Sequence, residues 1–366
     1  MDSTQQLTQL DQQAKPLSPV MHFLGIDVSK DKFDVALIIK APQSFETNIE
    51  TLKPTKGKRP SKYKDNNDDR HKAKVFPNTP QGFTALRAWL QTNGVDSVHV
   101  CMEATGVYWE ALATDLCEAG LHVSVVNPAQ IALYARSILS RGKTDSQDAR
   151  TIARFCERER PSLWVAAPLE QRQLLQLVRQ RQHLEDCLLA EENRFKTAID
   201  IVLPSITAVI SALQEAIAKI DALIHTHIQS DSKLKDNQDL LLSIPGVGDK
   251  TAPWLLAYLG DGTKFGRGKQ AAAYAGLTPK HWESGTSIKG PSHISKMGQT
   301  DLRRNLYMPA LGVYGKHKKY PQFVERLKAA GKSPKVIIVA VMRKILTIAQ
   351  AVLRDQKPFN PAFHAA

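Results

Sequence analysis

Two apolar runs near the amino-terminal end, "HFLGID" (22–27) and "FDVALII" (33–39), are separated only by the charged turn "VSKDK". A connection that short joins antiparallel neighbours, because parallel strands need a crossover of a dozen residues or more. The chain therefore opens a sheet with a hairpin, and Asp27 ends its first strand. Amphipathic helix "GFTALRAWLQTNG", stopped by Gly94, precedes strand "SVHVCMEA", which carries Glu103 at its far end. Helix "VYWEALATDLCEAG" and strand "HVSVVNP" follow, then helix "DSQDARTIARFCERER", with Asp145 as its expected N-cap. Strands alternating with helices after a hairpin predict an α/β layer fold with a mixed sheet over residues 22–160.

Two stretches stand outside that pattern. Residues 1–21 are polar and read as a disordered leader without a signal-peptide core. Residues 46–74 hold nine Lys/Arg and almost no aliphatic side chains, which predicts a basic loop. Such a loop is either solvated or in contact with nucleic-acid phosphate.

From Leu169 to Ile228 nothing reads as strand. Leu177 and Leu184, then Leu174, Leu188 and Phe195, recur at near-heptad intervals, and Pro204 divides the segment in two. The second half keeps three-four spacing through Val209, Leu213, Ile217, Ile220 and Ile224. Residues 161–238 are thus a helical linker, an antiparallel hairpin or coiled coil. A mainly helical region follows over 239–358. Its "IPGVGDKTAPWLL" sets Gly246 and Gly248 between two apolar helices, ahead of Lys250. That fits either a helix-hairpin-helix offering backbone N–H groups to phosphate or a plain αα-hairpin whose glycines serve the turn.

Charge narrows the partners. With 49 Lys+Arg against 36 Asp+Glu among 366 residues, the net charge of +13 favours a polyanion, and nucleic acid before membrane. The longest apolar run, Val336 to Leu353, has Arg343 and Lys344 at its centre and reads as a packed helix of a cytoplasmic protein. Cys101, Cys117, Cys156 and Cys187 form no C-x-x-C pair, which argues against a disulfide framework or a zinc site.

Four carboxylates stand out: Asp27 and Glu103 at strand ends, and Asp145 and Asp148 in "GKTDSQDAR". The last two are three apart on a helix and share a face, where like charges repel unless a cation lies between them. Oxygen ligands suit Mg2+ or Mn2+, and such a cluster serves in-line phosphoryl transfer. Asp31 and Asp34 read as caps or solvated charges. Downstream, "HWESGTS" holds two hydroxyl nucleophile candidates, Ser284 and Ser287, which spacing does not separate from each other or from a polar turn. His281 is nearby but reads as a structural or phosphate contact. Tyr274, Tyr307 and Tyr314 lack the Arg-His-Arg surroundings of a tyrosine recombinase.

The blocks "GIDVSKDKFDV", "CMEATGVYWE", "VVNPA", "KTDSQDAR", "IPGVGDKTAPWLLAYLGD", "YAGLTPKHWESGTSIKG" and "LRRNLYMPAL" together resemble the IS-one-ten family of insertion-sequence transposases, from about His22 to Pro358. The resemblance implies a RuvC-like, ribonuclease-H-like N-terminal domain, a coiled coil and a C-terminal transposase domain. It places the DEDD tetrad on Asp27, Glu103, Asp145 and Asp148, holding magnesium, and the catalytic serine on Ser284. It further implies a covalent phosphoserine link to DNA, a bridge RNA that pairs with donor and target DNA, and a composite site shared between protomers. Dimers pairing to a tetramer are expected. Lys280, Lys289, Lys296, Arg303 and Arg304 lie where they can neutralise phosphate. The leader and the basic stretch fall outside the seven blocks. Two other readings remain: a RuvC-like junction nuclease in which water attacks and Ser284 is structural, and a non-enzymatic nucleic-acid scaffold.

Overall fold

The computed structural model describes residues 22–40, 70–139, 144–280, 283–284, 288–289, 293–315 and 320–364. The expected leader, the basic stretch up to residue 69, His281 and Ser287 lie outside these residues. The chain divides into two compact units, Met1–Ala166 and Ala167–Ala366.

In the first unit, β1 (His22–Val28) and β2 (Lys32–Ile39) form the hairpin that the short turn dictates. Strand β3 (Arg70–Pro77) pairs antiparallel with β2, while β4 (Val98–Glu103) and β5 (His122–Val126) continue the sheet in parallel from β1. The order is β3-β2-β1-β4-β5. Strand β3 corrects the sequence reading, since Arg70 to Lys74 belong to a strand and not to a loop. It lies at the sheet edge, where lysines are favoured because they discourage pairing with another chain, and Phe76 is its buried anchor.

Alternation assigns the two faces. Leu24, Ile26, Val35 and Leu37 meet Phe83, Leu86 and Leu90 of α1 (Pro80–Thr92) and Leu112 and Leu116 of α2 (Trp109–Glu118). Phe23, Ala36, Ile38 and Cys101 face the other way, toward Ile131 of α3 (Pro128–Ser137) and Ile152, Ala153 and Cys156 of α4 (Asp145–Glu159). Helix α3 has no counterpart in the sequence reading, which ended the strand at Pro128. That proline occupies the first turn of α3, where its missing N–H costs nothing, and the Asn127 side chain caps it. The cap of α4 is a second correction. Thr144, not Asp145, is the N-cap, its Oγ1 accepting from the Gln147 N–H at 3.3 Å. Asp145 and Asp148 then fall in the first turn, where the helix dipole favours carboxylates.

Helix α4 lies unusually close to β1. A Cβ built on Gly25 would meet the Ala149 carbonyl oxygen and the Ala153 nitrogen at 2.2 Å each, so no other residue fits at position 25 without displacing backbone.

In the second unit, α5 (Leu169–Phe195) and α6 (Leu203–Ser230) run antiparallel. The His227 ring reaches the Glu170 carbonyl at 2.8 Å, and Arg181 pairs with Asp221. Pro204 stands in the first turn of α6 and so starts that helix. Next come α7 (Ser232–Leu242), α8 (Ala252–Leu259), α9 (Gly268–Tyr274) and the short strands β6 (Pro279–Lys280), β7 (Glu283–Ser284), β8 (Ile288–Lys289) and β9 (His293–Ile294). Helices α10 (Thr300–Asn305), α11 (Tyr307–Tyr314), α12 (Pro321–Ala329) and α13 (Pro334–Asp355) complete the core. Helices α6 and α13 are both long and apolar enough to cross a membrane. The most apolar stretch of α13 is 61% buried within the unit, as expected for a core helix, whereas that of α6 is only 6% buried.

Candidate active site

The acids gather on the α4 side of the sheet, at the carboxyl ends of β1 and β4. Asp27 follows Ile26, whose register partner on β4 is Met102, so Glu103 stands beside it on the neighbouring strand. On the opposite neighbour, Asp27 pairs directly with Asp34. The close contact of Gly25 with Ala149 brings the first turn of α4, with Asp148 adjacent to Ala149, over these strand ends. Crossing points of this kind, outside the carboxyl ends of strands, are where open α/β sheets bind ligands.

Electrostatics record the convergence. The Asp27 carboxyl is pushed up to about 6, first by burial and then by the nearby charges of Glu103, Asp148, Asp145 and Asp34. Glu103 is held by Thr105, whose Oγ1 donates to its Oε1 at 2.6 Å. Lys32 provides the opposing charge, its Nζ standing 3.0 Å from Asp34 Oδ2 and 2.9 Å from Asp145 Oδ2. Those two bonds, to Asp145 first, hold the ammonium above its ordinary range.

Sequence reasoning missed Lys32 and Asp34. Asp34 is buried, not a solvated charge: its side chain points to the α4 side with Ala36 and Ile38. The signal was present, because Lys32, Asp34, Ala36 and Ile38 alternate, and a hairpin register pairs Asp34 with Asp27.

As placed, no three Asp, Glu, His or Cys side chains among the described residues stand in ligating arrangement. The donor set nevertheless fits a hard divalent cation. It consists of carboxylate oxygens around a point where Asp27 resists ionisation, and the Lys32 ammonium already bridges two of the carboxylates.

In the second unit, Ser284 lies on β7, opposite Ile288 of β8 in an antiparallel ladder that also pairs Glu283 with Lys289. Lys280 on β6 pairs with His293 of β9. Exposed Lys296 has a left-handed backbone, φ 55°, and its N–H donates to the Gly276 carbonyl. Arg303 donates to the Ala275 carbonyl at 2.9 Å and to Thr300, and Arg304 is engaged by Asp186, which its guanidinium holds below the usual carboxylate range.

The two glycines after α7 differ. Gly246 has φ +95° and would drive a Cβ to 2.6 Å from Val313, so turn and packing both require it. Gly248 is exposed with open space beyond it, just before Lys250, whose side chain is 76% exposed.

An acidic cluster at strand ends, in a chain of net charge +13, points to an enzyme acting on nucleic acid, and comparison with known proteins narrows it to a DNA transposase. Residues 63–204 match a family model described as a transposase of the DEDD IS110 type. Residues 238–327 match the Transposase IS116/IS110/IS902 family. The chain is 40% identical over 346 residues to the pilin gene-inverting protein of Moraxella bovis, covering 93% of this chain and 98% of that protein. It is 40% identical over 294 residues to the pilin gene-inverting protein of Moraxella lacunata, covering 79% and 91%. It is also 34% identical over 161 residues to an uncharacterized protein of insertion element IS110 from Streptomyces coelicolor, covering 43% and 38%. The chain belongs to the IS116/IS110/IS902 family of transposases. Its DEDD-type match points to a divalent metal requirement.

Proposed function

We propose that this transposase cuts and rejoins DNA through a covalent phosphoserine link on Ser284, assisted by the tetrad Asp27, Glu103, Asp145 and Asp148, and that a guide RNA selects its donor and target DNA. The observation that carries the reading is the convergence of four acids on Asp27, in a chain whose relatives are named for inverting a gene. The sheet order, with its antiparallel hairpin and parallel continuation, supports a ribonuclease-H-like, RuvC-like domain.

In the proposed step, Ser284 Oγ gives up its proton and bonds to phosphorus, the P–O3′ bond breaks, and the departing 3′ oxygen takes up a proton. The DNA is left with a 5′-phosphoserine link, and attack by a different 3′ hydroxyl reverses the step and joins new strands. A hydroxyl is a poor nucleophile at neutral pH, so the step needs an acidic cluster and cations around the phosphate. Bound Mg2+, or Mn2+, supplies charge neutralisation at the phosphate oxygens. Gly248, Lys250, Lys280, Lys289 and Lys296 are the phosphate contacts we assign in the second unit, with Gly246 shaping the turn. Arg303 and Arg304 join them by exchanging their present partners. The exposed apolar surface of α6 supports a homo-oligomer, in which the acids of one copy serve the serine of another.

Denaturing gels of protein mixed with its element-end DNA decide between this mechanism and a water-using nuclease. Wild type forms an adduct that survives denaturation, and Ser284→Ala forms none. Cleavage without any adduct in wild type would instead assign the attack to water. Asp27→Asn and Asp148→Asn lose cleavage by more than a hundredfold while retaining DNA binding, a result that a non-enzymatic scaffold does not produce. Sequencing RNA that copurifies from cells carrying the element tests the guide.

A further inference from the structure

Helix α4 and edge strand β3 enclose a trough in the first unit that none of the steps above uses. Its cavity, about 240 Å³, has a floor of Ala36 and Ile38 and is lined by His71, Arg150 and Arg154. Lys72 borders it as well but turns its ammonium to Asn93 on the opposite side of the sheet. No carboxylate is among the described lining residues. The floor continues along β3, where Ala73 pairs with Ala36, and Val75, the partner of Asp34, is 51% exposed. In one direction this face leads to Asp34, which Lys32 links to Asp145, and in the other lies the ion pair of Lys40 with Glu157.

Arg150 and Arg154 are four residues apart on α4 and rise along the same face by about 6 Å, a separation that suits adjacent phosphates of one extended strand. Both are exposed on the helix whose first turn holds Asp145 and Asp148. From Asp145 to Arg154 is about 14 Å of helix axis. Guanidinium forks match phosphate geometry, while alanine and isoleucine accept the faces of sugars. A cavity of about 240 Å³ is too small for a duplex and suits one sugar-phosphate strand.

We infer that this trough binds the phosphodiester backbone of the single DNA strand leading to the acid cluster, with Arg150, Arg154 and His71 on successive phosphates. The inference rests on the reading of that cluster as the place of strand cleavage. The trough positions the strand and takes no part in bond breaking.

Fluorescence anisotropy of the full chain with a labelled single-stranded DNA, in chelator so that no cleavage occurs, measures it. R150Q/R154Q should weaken binding at least tenfold and flatten the slope of log K against log salt by about 1.4, from about 0.7 per lost phosphate contact. R150K/R154K should restore most of the slope. A photocrosslinking residue in place of Val75 should attach to the DNA strand, a readout that does not depend on the arginine variants folding well. An unchanged DNA slope together with no crosslink overturns the proposal. A loss confined to an RNA of the same length also overturns it and assigns the trough to RNA. Cleavage by Asp27→Asn at the wild-type rate would sink the acid-cluster reading instead, and the anisotropy and crosslinking results would still stand.

Discussion

Asp27 is the residue at which fold and chemistry oppose each other. Folded, it titrates at about 6 against an ordinary 3.8, because burial and four neighbouring acids disfavour its charge. Below about pH 4 it is protonated folded or unfolded and costs nothing. Between about pH 4 and 6 the unfolded chain has released this proton while the folded state still holds it, so stability falls by on the order of 1–3 kcal/mol across that window and levels off above it. Asp27→Asn should therefore stabilise the metal-free protein at pH 7 and flatten its stability between pH 4 and 7, as read from urea melts at several pH values. Added Mg2+ should stabilise wild type and leave the variant unchanged. Asp27, Glu103, Asp145 and Asp148 were legible in the sequence because strand ends and an i,i+3 pair are local patterns. Asp34 was passed over, since its place opposite Asp27 emerges only when the hairpin register is worked out.

At the scale of elements, α4 does two tasks. Its buried side completes one core layer through Ile152, Ala153 and Cys156, and its first turn delivers Asp145 and Asp148. The depth at which it packs is set by Gly25. Gly25→Ala should force α4 outward and destabilise the fold by about 2–4 kcal/mol, more than ordinary overpacking because the clash is with backbone. The same displacement moves Asp148 from Asp27, so the Asp27 titration should fall toward the ordinary carboxylate range, measurable by carbonyl NMR. Strand β3 shows why part of the sheet escaped the sequence reading. Among the described side chains of "RHKAKVFP" only the phenylalanine is buried, and an edge strand so rich in lysine cannot be told from a basic loop by periodicity. Helix α3 escaped for another reason: its only buried side chain is Ile131, so it has no apolar stripe to recognise.

At the scale of the whole molecule, the first unit carries the acids and the second unit carries Ser284 and the basic residues that we propose as phosphate contacts, each unit with its own core. For the homo-oligomer that we propose, α6 offers the surface. Its hairpin partner covers Ile220, Ile224 and Ile228, but Val209 and Leu223 are 44% and 55% exposed. Val209→Lys with Leu223→Lys should shift the sedimentation profile toward monomer and abolish recombination, while the thermal melt moves by no more than a few degrees.

The sequence alone determined the alternation of strands and helices, the strandless hairpin, the basic charge, the four acids and the seven blocks that resemble a transposase family. Each of these is written in periodicity, composition or short motifs. Tertiary structure decided what those residues are to one another. It set Asp34 against Asp27, laid Lys32 across Asp34 and Asp145, made a strand of the last basic residues, and formed the trough beside α4. The bridge to Asp145, the close approach allowed by Gly25 and the packing of the trough are long-range contacts, and a window along the chain contains only one partner of each; the hairpin register is local, but it depends on where the turn closes.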